Sequence, residues 1–195
     1  MSRTSTIARK TNEVEVTVDL NLDGKGIYQI DTGIPFFDHM LEQLSKHGLF
    51  DIKISAKGDT EIDYHHTVED VGIALGEAFD KALGDKKSIN RYGSFSVPFD
   101  ETLSSSNIDL SGRPFFIFNA DIPNGKVGEF DIELTREFFQ SFTNNIKANI
   151  HIENKYGSNS HHIIESIFKS VARSLDIATQ IDSRTDSIPS TKGNL

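Results

Sequence analysis

The chain carries the stretch "HHTVED" at residues 65–70 and a matching stretch, "HHIIES", at residues 161–166. Both spell His-His-x-x-Glu, and together they contain four of the seven histidines in 195 residues. A pattern of rare residues that recurs half a chain later predicts two similar halves, each with one copy. At this length one compact unit or two small halves are both possible, and the repeated pattern favours two halves.

Apolar residues at helical spacing follow each histidine pair. Val68, Val71 and Leu75 come after the first pair, in steps of three and four. Ile164 and Ile167 begin the same spacing after the second pair. We therefore expect an α-helix to begin at each pair.

The segments before each pair also follow one plan. Residues 14–33 alternate in hydrophobicity and turn at "DGKG", which predicts a β-hairpin. The segment "FFDHMLEQLSKHG" predicts a helix, and "LFDIKISAKGD" predicts a strand. In the second half the corresponding segments are the strands within 94–120, the helix "REFFQSFTNNI" and the strand "ANIHIENKYG".

This order predicts the α+β class, as a tandem repeat of two similar split β-α-β halves with helices packed on one face of each sheet. We place the first repeat at residues 1–90 and the second at residues 91–180. Residues 181–195 are polar and rich in turn formers, and taken alone they would be a tail.

Composition excludes several classes of protein. A content of 36% hydrophobic and 25% charged residues is typical of a globular chain. No apolar run approaches the roughly 18 residues that span a bilayer, and "MSRTSTIARK" lacks a secretory h-region, so we expect a cytoplasmic protein without a membrane partner. A net charge of −9 disfavours nucleic acid as a partner. Because there is no cysteine, any metal ion must be held by imidazole and carboxylate.

The histidine pairs offer fragments of two metal sites. Successive helical residues point about 100° apart, so His65 and His66 face different sites, and Glu69 is within reach of either. His161, His162 and Glu165 repeat the arrangement in the second half. A single His-His pair is more often surface decoration or a helix cap, but two matched copies favour metal binding. We expect two sites that draw ligands from both halves or from neighbouring subunits, with His39 as an extra ligand.

Three other features of the sequence indicate function less specifically. Ser190, Thr191 and Lys192 precede a glycine and form a donor-rich turn that could hold an oxyanion. Arg91 and Arg113, each taken alone, are typical of solvated surface residues. His47, near a helix C-terminus that favours a positive charge, is equally consistent with a helix cap and with a site residue, whereas His151 within a strand is interpreted as a residue that fills one face of the sheet.

Seven motifs in order resemble the imidazoleglycerol-phosphate dehydratase family of histidine biosynthesis. They run from about Glu13 to Gly193 and are "TNEVEV", "GIPFFDHML", "DYHHTVED", "PFDE" with "DLSGRP", "NSHHIIESIFKSVARSL" and "STKG". The resemblance implies two α+β halves and a homo-oligomer of about 24 subunits built from trimers. It also implies two Mn²⁺ ions per active site and a phosphorylated imidazole as substrate.

The resemblance also implies roles for individual residues. The implied metal ligands are His39, His65, His66, Glu69, His161, His162 and Glu165. Glu137 stands where some family members place a further histidine ligand, and we include it as a candidate. Glu13 would be the acid/base that transfers the proton, with Glu165 or a metal-bound water as the rival. The residues implied to contact substrate, mostly at its phosphate end, are Glu13, His39, His65, Arg91, Arg113, His161, Lys169, Ser190, Thr191 and Lys192.

The reaction implied is the dehydration of D-erythro-imidazoleglycerol phosphate to imidazole acetol phosphate and water. The proton to be removed is not acidified by a carbonyl group. We hypothesise that two metal ions bind the two ring nitrogens and favour a metal-bound imidazolate, which expels the hydroxyl and acidifies the neighbouring C–H. Two ions on one ring need two ligand sets, which a doubled motif supplies.

Three alternatives belong to other classes. A dinuclear metallohydrolase would use the same ligands to activate water and would release inorganic phosphate. A noncatalytic metal-binding scaffold would not need the donor-rich turn near residue 190. An RNA-binding role, suggested by similarity of the fold to a ribosomal protein domain, conflicts with the acidic charge.

Overall fold

The structure is a computed structural model that describes residues 3–195, so the first two residues of the predicted first repeat lie outside the described part. The first half contains β1 (Thr4–Lys10), β2 (Val14–Asn21), β3 (Tyr28–Asp31), α1 (Pro35–Gly48), β4 (Asp51–Gly58) and α2 (His65–Leu83). The second half contains β5 (Tyr92–Phe99), β6 (Thr102–Asp109), β7 (Phe115–Asn119), β8 (Lys126–Val127), β9 (Phe130–Asp131), α3 (Leu134–Ile146), β10 (Asn149–Tyr156) and α4 (Ser160–Thr179).

Both halves have the same sheet topology. The strand order is β1-β2-β4-β3 in the first sheet and β5-β6-β10-β7 in the second. In each sheet the last two strands of this order are parallel and the others are antiparallel. Strands β8 and β9 form a small separate ribbon. The predicted α+β repeat, with helices on one face of each sheet, is confirmed.

The predicted hairpin within residues 14–33 is wrong. β2 pairs with β1 on one side and with β4 on the other, whereas β3 lies parallel to β4. The chain reaches β4 only after crossing through α1, and such a crossover places the two strands side by side and parallel. The hairpin partner of β2 is therefore β1, whose burial does not show a continuous apolar face.

The four long helices lie between the two sheets, and those of one half pack on those of the other. α2 packs on α3, and α1 packs on α4. A Cβ atom built on Gly76 would lie 2.6 Å from the carbonyl oxygen of Phe142, so α2 and α3 nearly touch at their backbones. Arg173 on α4 donates to the carbonyl of His47 at 3.3 Å, near the end of α1.

Helix ends that carry the motifs are brought together by this packing. His39 near the start of α1 lies next to the start of α4, and His47 near its end lies next to Arg173 further along α4, so the two helices run in the same direction. The helices predicted at the two histidine pairs begin at His65 and Ser160, as expected. Within residues 3–195 no helix is both long and apolar enough to cross a bilayer.

Substitution of Gly76 by alanine tests the close approach of α2 and α3. Alanine normally stabilises a helix interior relative to glycine by about 1 kcal/mol. Here the added methyl group would lie under 3.0 Å from three atoms of α3, and overpacking this close costs about 2–3 kcal/mol, the upper part of the usual range. The net loss is therefore about 1–2 kcal/mol. We expect the melting temperature of Gly76→Ala to fall by roughly 2–8 °C. Glu77→Ala, at the partly exposed neighbouring position, is the control, and a Gly76→Ala protein as stable as the wild type would contradict the packing.

Candidate active site

His39, His161 and Glu165 form a compact cluster between the two halves. Glu165 Oε2 lies 3.0 Å from His161 Nε2 and 3.4 Å from His39 Nε2. One candidate ligand atom from each residue lies within 4.8 Å of the others. Within residues 3–195 this is the one group of three or more histidine and acidic residues that meets this distance. The cluster contains one residue of the first half and two of the second.

Local structure explains how the helices present these side chains. Asn159 caps α4, and its side-chain oxygen accepts hydrogen bonds from the backbone N–H groups of His161 and His162 at 3.0 and 3.3 Å. His161 and Glu165 are one helical turn apart, so they share a face of α4. Phe36 of α1 contacts the ring edge of His161, at a centroid distance of 5.2 Å.

Glu165 is nearly buried but keeps its negative charge. Burial alone would raise the pKa of this carboxyl group. Burial is the largest single influence, but the ammonium group of Lys169, 2.6 Å from Glu165 Oε1, together with His161 and His39 lowers the pKa of Glu165 overall. Lys169 in turn lies 4.3 Å above the ring of Phe99. The carboxylate is therefore available as an anionic ligand at neutral pH.

The chemistry of the cluster fits a divalent transition metal. Two imidazole nitrogens and one carboxylate oxygen are ligands that suit Mn²⁺, Fe²⁺ or Zn²⁺. His39 and His161 each leave 41% of the side chain exposed, so the side of the cluster away from Glu165 is open to further ligands. The cluster could thus hold an ion and still accept a ligand from solvent or from another molecule.

His66 lies in a second, separate group of polar residues. Its Nδ1 is 3.0 Å from Asp59 Oδ2 and 3.9 Å from Glu13 Oε2. The hydrogen bond to Asp59 raises the pKa of His66, and the charge of Glu13 adds to the effect. Glu13 itself occupies the turn between β1 and β2 and is more than half exposed.

His162 has a corresponding arrangement in the second half. Its Nδ1 lies 2.7 Å from Glu101 Oε2. This hydrogen bond, helped by the backbone N–H of Asn159, lowers the pKa of Glu101 to about 2. Neither Glu101 nor Asp59 was predicted as a site residue, although Glu101 is part of the motif "PFDE". The contacts of both residues depend on loops whose conformation the sequence pattern does not reveal.

The other predicted ligands lie outside the three-residue cluster. The ring of His65 is 6.1 Å from that of His66 at the start of α2, and Glu69 follows on the same helix. Glu137 lies on α3 with its carboxylate 3.6 Å from Arg136. α1 and α3 end in equivalent left-handed caps at residues 49 and 147, and His39 and Glu137 each lie ten residues before their cap. Glu137 is therefore the repeat counterpart of His39.

The C-terminal segment folds against the second half and lines a cleft. The cleft has a volume of about 950 Å³, and residues predicted to bind phosphate line it: Arg91, Arg113, Ser190, Thr191 and Lys192. The backbone of Ser190 to Gly193 forms a turn, closed by a 3.0 Å bond from the Gly193 N–H to the Ser190 carbonyl. Lys169 lies elsewhere, beside Glu165.

Arg91 already has partners for much of its guanidinium group. Nε and Nη2 donate to the carboxylate of Asp109 at 2.6 and 3.2 Å, and Nη1 donates to the carbonyl of Pro189 at 2.8 Å. Arg91 therefore anchors the C-terminal segment to β6. Arg113 and Lys192 are exposed and line the same cleft.

The cleft and the metal cluster lie at opposite ends of α4. The backbone N–H of Arg91 donates to the carbonyl of Ala178, near the end of the helix. His161 is at its start, 17 residues earlier, which corresponds to about 25 Å along the helix axis. The remaining histidines have structural positions, His47 in the last turn of α1 and His151 on the exposed side of β10.

Comparison with known proteins identifies relatives over the full chain. A profile of the family described as imidazoleglycerol-phosphate dehydratase matches residues 32–175. The imidazoleglycerol-phosphate dehydratase of Pelobacter propionicus is 55% identical over 195 residues, with all of both chains covered. That of Prochlorococcus marinus strain AS9601 is 56% identical, covering 99% of this chain and 96% of the relative.

Solved structures agree with these relatives. The imidazoleglycerol-phosphate dehydratase of Staphylococcus aureus matches with a TM-score of 0.84 at 37% identity, covering 92% of this chain and 99% of that one. The enzyme from Pyrococcus furiosus, solved in complex with (S)-C348, matches with a TM-score of 0.84 at 32% identity and covers 97% and 100%.

Substitution of Glu165 by glutamine tests the cluster as a metal site. The amide keeps the shape of the side chain but removes the anionic ligand, so we expect the affinity for Co²⁺ to fall roughly tenfold or more, which is about 1.4 kcal/mol. Titration of the chelator-stripped protein, followed by visible absorption of bound Co²⁺, measures this change. Glu153→Gln, an exposed change on β10, is the control. Equal Co²⁺ affinity in both variants would exclude the cluster as a site.

Proposed function

Because this chain belongs to the imidazoleglycerol-phosphate dehydratase family and is a hydro-lyase of histidine biosynthesis, we propose that it dehydrates D-erythro-imidazoleglycerol phosphate with two Mn²⁺ ions. The product is imidazole acetol phosphate. The observation that carries the metal dependence is the cluster of His39, His161 and Glu165. Two imidazoles and a carboxylate from two separate helices converge there.

The predicted ligands divide into two groups on this proposal. The cluster holds one ion. The remaining predicted ligands, contributed by neighbouring copies, would complete the coordination shell of this ion and would hold the second ion. They are His65, His66, Glu69, Glu137 and His162. We include Glu137 among the ligands because it is the repeat counterpart of His39. The ions would supply Lewis-acid stabilisation of negative charge on the imidazole ring of the substrate.

The side chains of the protein bind the substrate and move its protons. Glu13 is the group that removes and returns the proton, because it is an exposed carboxylate beside His66. Glu165 is less suited to that role, since its two oxygens face Lys169 on one side and two histidines on the other. Arg113, Lys192 and the hydroxyl groups of Ser190 and Thr191 would hold the phosphate in the C-terminal cleft.

Within residues 3–195 the cluster and the cleft of one chain do not form a complete site for this substrate. The substrate has a ring and a three-carbon phosphorylated chain, and at about 1.5 Å per bond it extends roughly 10 Å. The metal cluster and the cleft are about 25 Å apart along α4. The cluster of one copy must therefore meet the cleft of another, which supports a homo-oligomer, and we propose the 24-subunit assembly of trimers.

Exposed apolar residues also support contacts between copies. Phe115 and Ile117 on β7 are 59% and 41% exposed, and Tyr156 on β10 is 60% exposed. All three lie on strands of the second sheet. Patches of this kind on a soluble chain mark contact surfaces.

Turnover by the chelator-stripped protein, with and without Mn²⁺, tests the proposed function. We expect the enolisable ketone to form from imidazoleglycerol phosphate only when Mn²⁺ is present, because the cluster then holds its ion. Product analysis should also include inorganic phosphate, since its release would indicate a metallohydrolase. Lack of the ketone at confirmed metal occupancy would contradict the proposal.

Co-expression of two inactive variants tests whether the site lies between copies. His161→Ala removes a ligand of the cluster, and Arg113→Ala removes a cation of the cleft. Alone, each protein should have strongly reduced turnover. If cluster and cleft come from different chains, oligomers that contain both variants regain part of the activity, because some sites then combine two intact parts. If both come from one chain, mixed oligomers remain as inactive as the single variants.

A further inference from the structure

The ring of His162 has a defined orientation in the structure. Glu101 Oε2 lies 2.7 Å from His162 Nδ1. The other oxygen, Oε1, accepts from the backbone N–H groups of Asn159 and Ser158 at 2.8 and 3.3 Å. The carboxylate is therefore held in place by the loop that precedes α4. A carboxylate only accepts hydrogen bonds, so Nδ1 must be the donor.

This contact selects one form of the neutral imidazole. When the proton of the ring is on Nδ1, the lone pair is on Nε2. Nε2 faces away from Glu101, toward the exposed Asp100, whose carboxylate is 3.9 Å away. The pair thus presents Nε2 as the atom that can bind a metal ion. Carboxylates that hold metal-binding histidines in this way also increase the basicity of the ligand nitrogen.

The internal repeat shows that Glu101 has a counterpart with a different environment. β2 begins at Val14 and β6 at Thr102, so Glu13 and Glu101 each stand immediately before the second strand of their half. Glu13 lies 3.9 Å from His66 Nδ1, beyond hydrogen-bond distance. Asp59, at 3.0 Å, takes the hydrogen bond instead.

The connection before each histidine helix explains the difference. Gly58 and Gly157 are equivalent positions, because a Cβ built on Gly58 would meet Val14 and Thr67 and one built on Gly157 would meet Thr102 and Ile163. Asp59 of the first half therefore corresponds to Ser158 of the second. Serine has no carboxylate that could accept from a histidine, and the backbone N–H of Ser158 donates to Glu101 Oε1 at 3.3 Å. In the second half the only carboxylate within 3 Å of the Nδ1 atom of the histidine is therefore that of Glu101, among the described residues.

We propose that Glu101 is a positioning residue that orients His162 toward a metal ion, and that Asp59 has this role for His66, which leaves Glu13 free to contact substrate. The two repeat-related glutamates have thus acquired different tasks. Glu101 acts through His162, and Glu13 acts on the substrate. This inference rests on the proposed function, because it treats His66 and His162 as metal ligands.

The matched variants Glu101→Gln and Glu13→Gln test this division. In Glu101→Gln the amide oxygen is retained by the two backbone N–H groups, so the amide nitrogen faces His162 Nδ1 and donates to it. That interaction moves the ring proton to Nε2 and removes its lone pair. We expect Mn²⁺ affinity at one of the two sites to fall roughly 10- to 100-fold, the loss typical when such a partner is removed.

Glu13→Gln should behave differently in both measurements. Mn²⁺ binding is followed by electron paramagnetic resonance titration of the chelator-stripped, full-length protein, and turnover is measured on the same samples at saturating Mn²⁺. We expect Glu13→Gln to bind two Mn²⁺ ions with wild-type affinity while its kcat falls strongly. Glu101→Gln binding both ions with wild-type affinity would overturn the inference, as would an equal loss of metal in the two variants.

A second variant keeps the test valid if Glu101→Gln does not fold. Glu101→Asp retains the charge but withdraws the carboxylate by one methylene group, so the same one-site weakening of Mn²⁺ binding is expected, and wild-type affinity would overturn the inference. The wild-type titration separates the two proposals. Two Mn²⁺ ions per chain and ketone formation by the wild type support the proposed function whatever Glu101 does, whereas a wild type that binds no Mn²⁺ overturns both.

Discussion

Direct packing of the helices of one half on those of the other is the contact on which the site depends. Gly76 allows α2 to approach the backbone of α3, and α1 lies along α4 in the same direction. Because paired helices begin at the same end, His39 of the first half reaches His161 and Glu165 of the second. Neither half alone could bury the apolar faces of its helices or assemble this cluster.

Carboxylates of the candidate site are paired with basic side chains, which offset the repulsion between negative charges. Glu165 is buried, and its contacts with Lys169, His161 and His39 together lower its pKa against the effect of burial. His66 and His162 each have a carboxylate at Nδ1, which fixes the ring and leaves Nε2 available. At the other end of α4, Arg91 ties the C-terminal segment to the second sheet. The cluster and the cleft thus lie at opposite ends of α4, about 25 Å apart along the helix axis.

Much of the fold could be predicted from periodicity, and the errors have physical causes. The helices at the two histidine pairs follow from apolar spacing, because one buried face of a helix needs a side chain every three or four residues. The pairing of β2 could not be predicted in this way, since alternation shows that a strand has a buried face but not which strand lies beside it. β1 has no pattern of alternating apolar residues, because its one buried residue is Ser5 and its Ile7 is only partly buried.

The sequence by itself determined the doubled α+β plan, the absence of thiolate ligands and the set of histidines and acids available to a metal ion. These depend on residue type and spacing, which are properties of the chain. Only the tertiary structure decided that His39, His161 and Glu165 form one cluster. It also decided that Asp59 accepts a hydrogen bond from His66, and Glu101 one from His162. The cluster and the Glu101–His162 contact join residues far apart in sequence, and the Asp59–His66 contact depends on the conformation of the loop between β4 and α2. Periodicity describes one element at a time and therefore does not reveal these contacts.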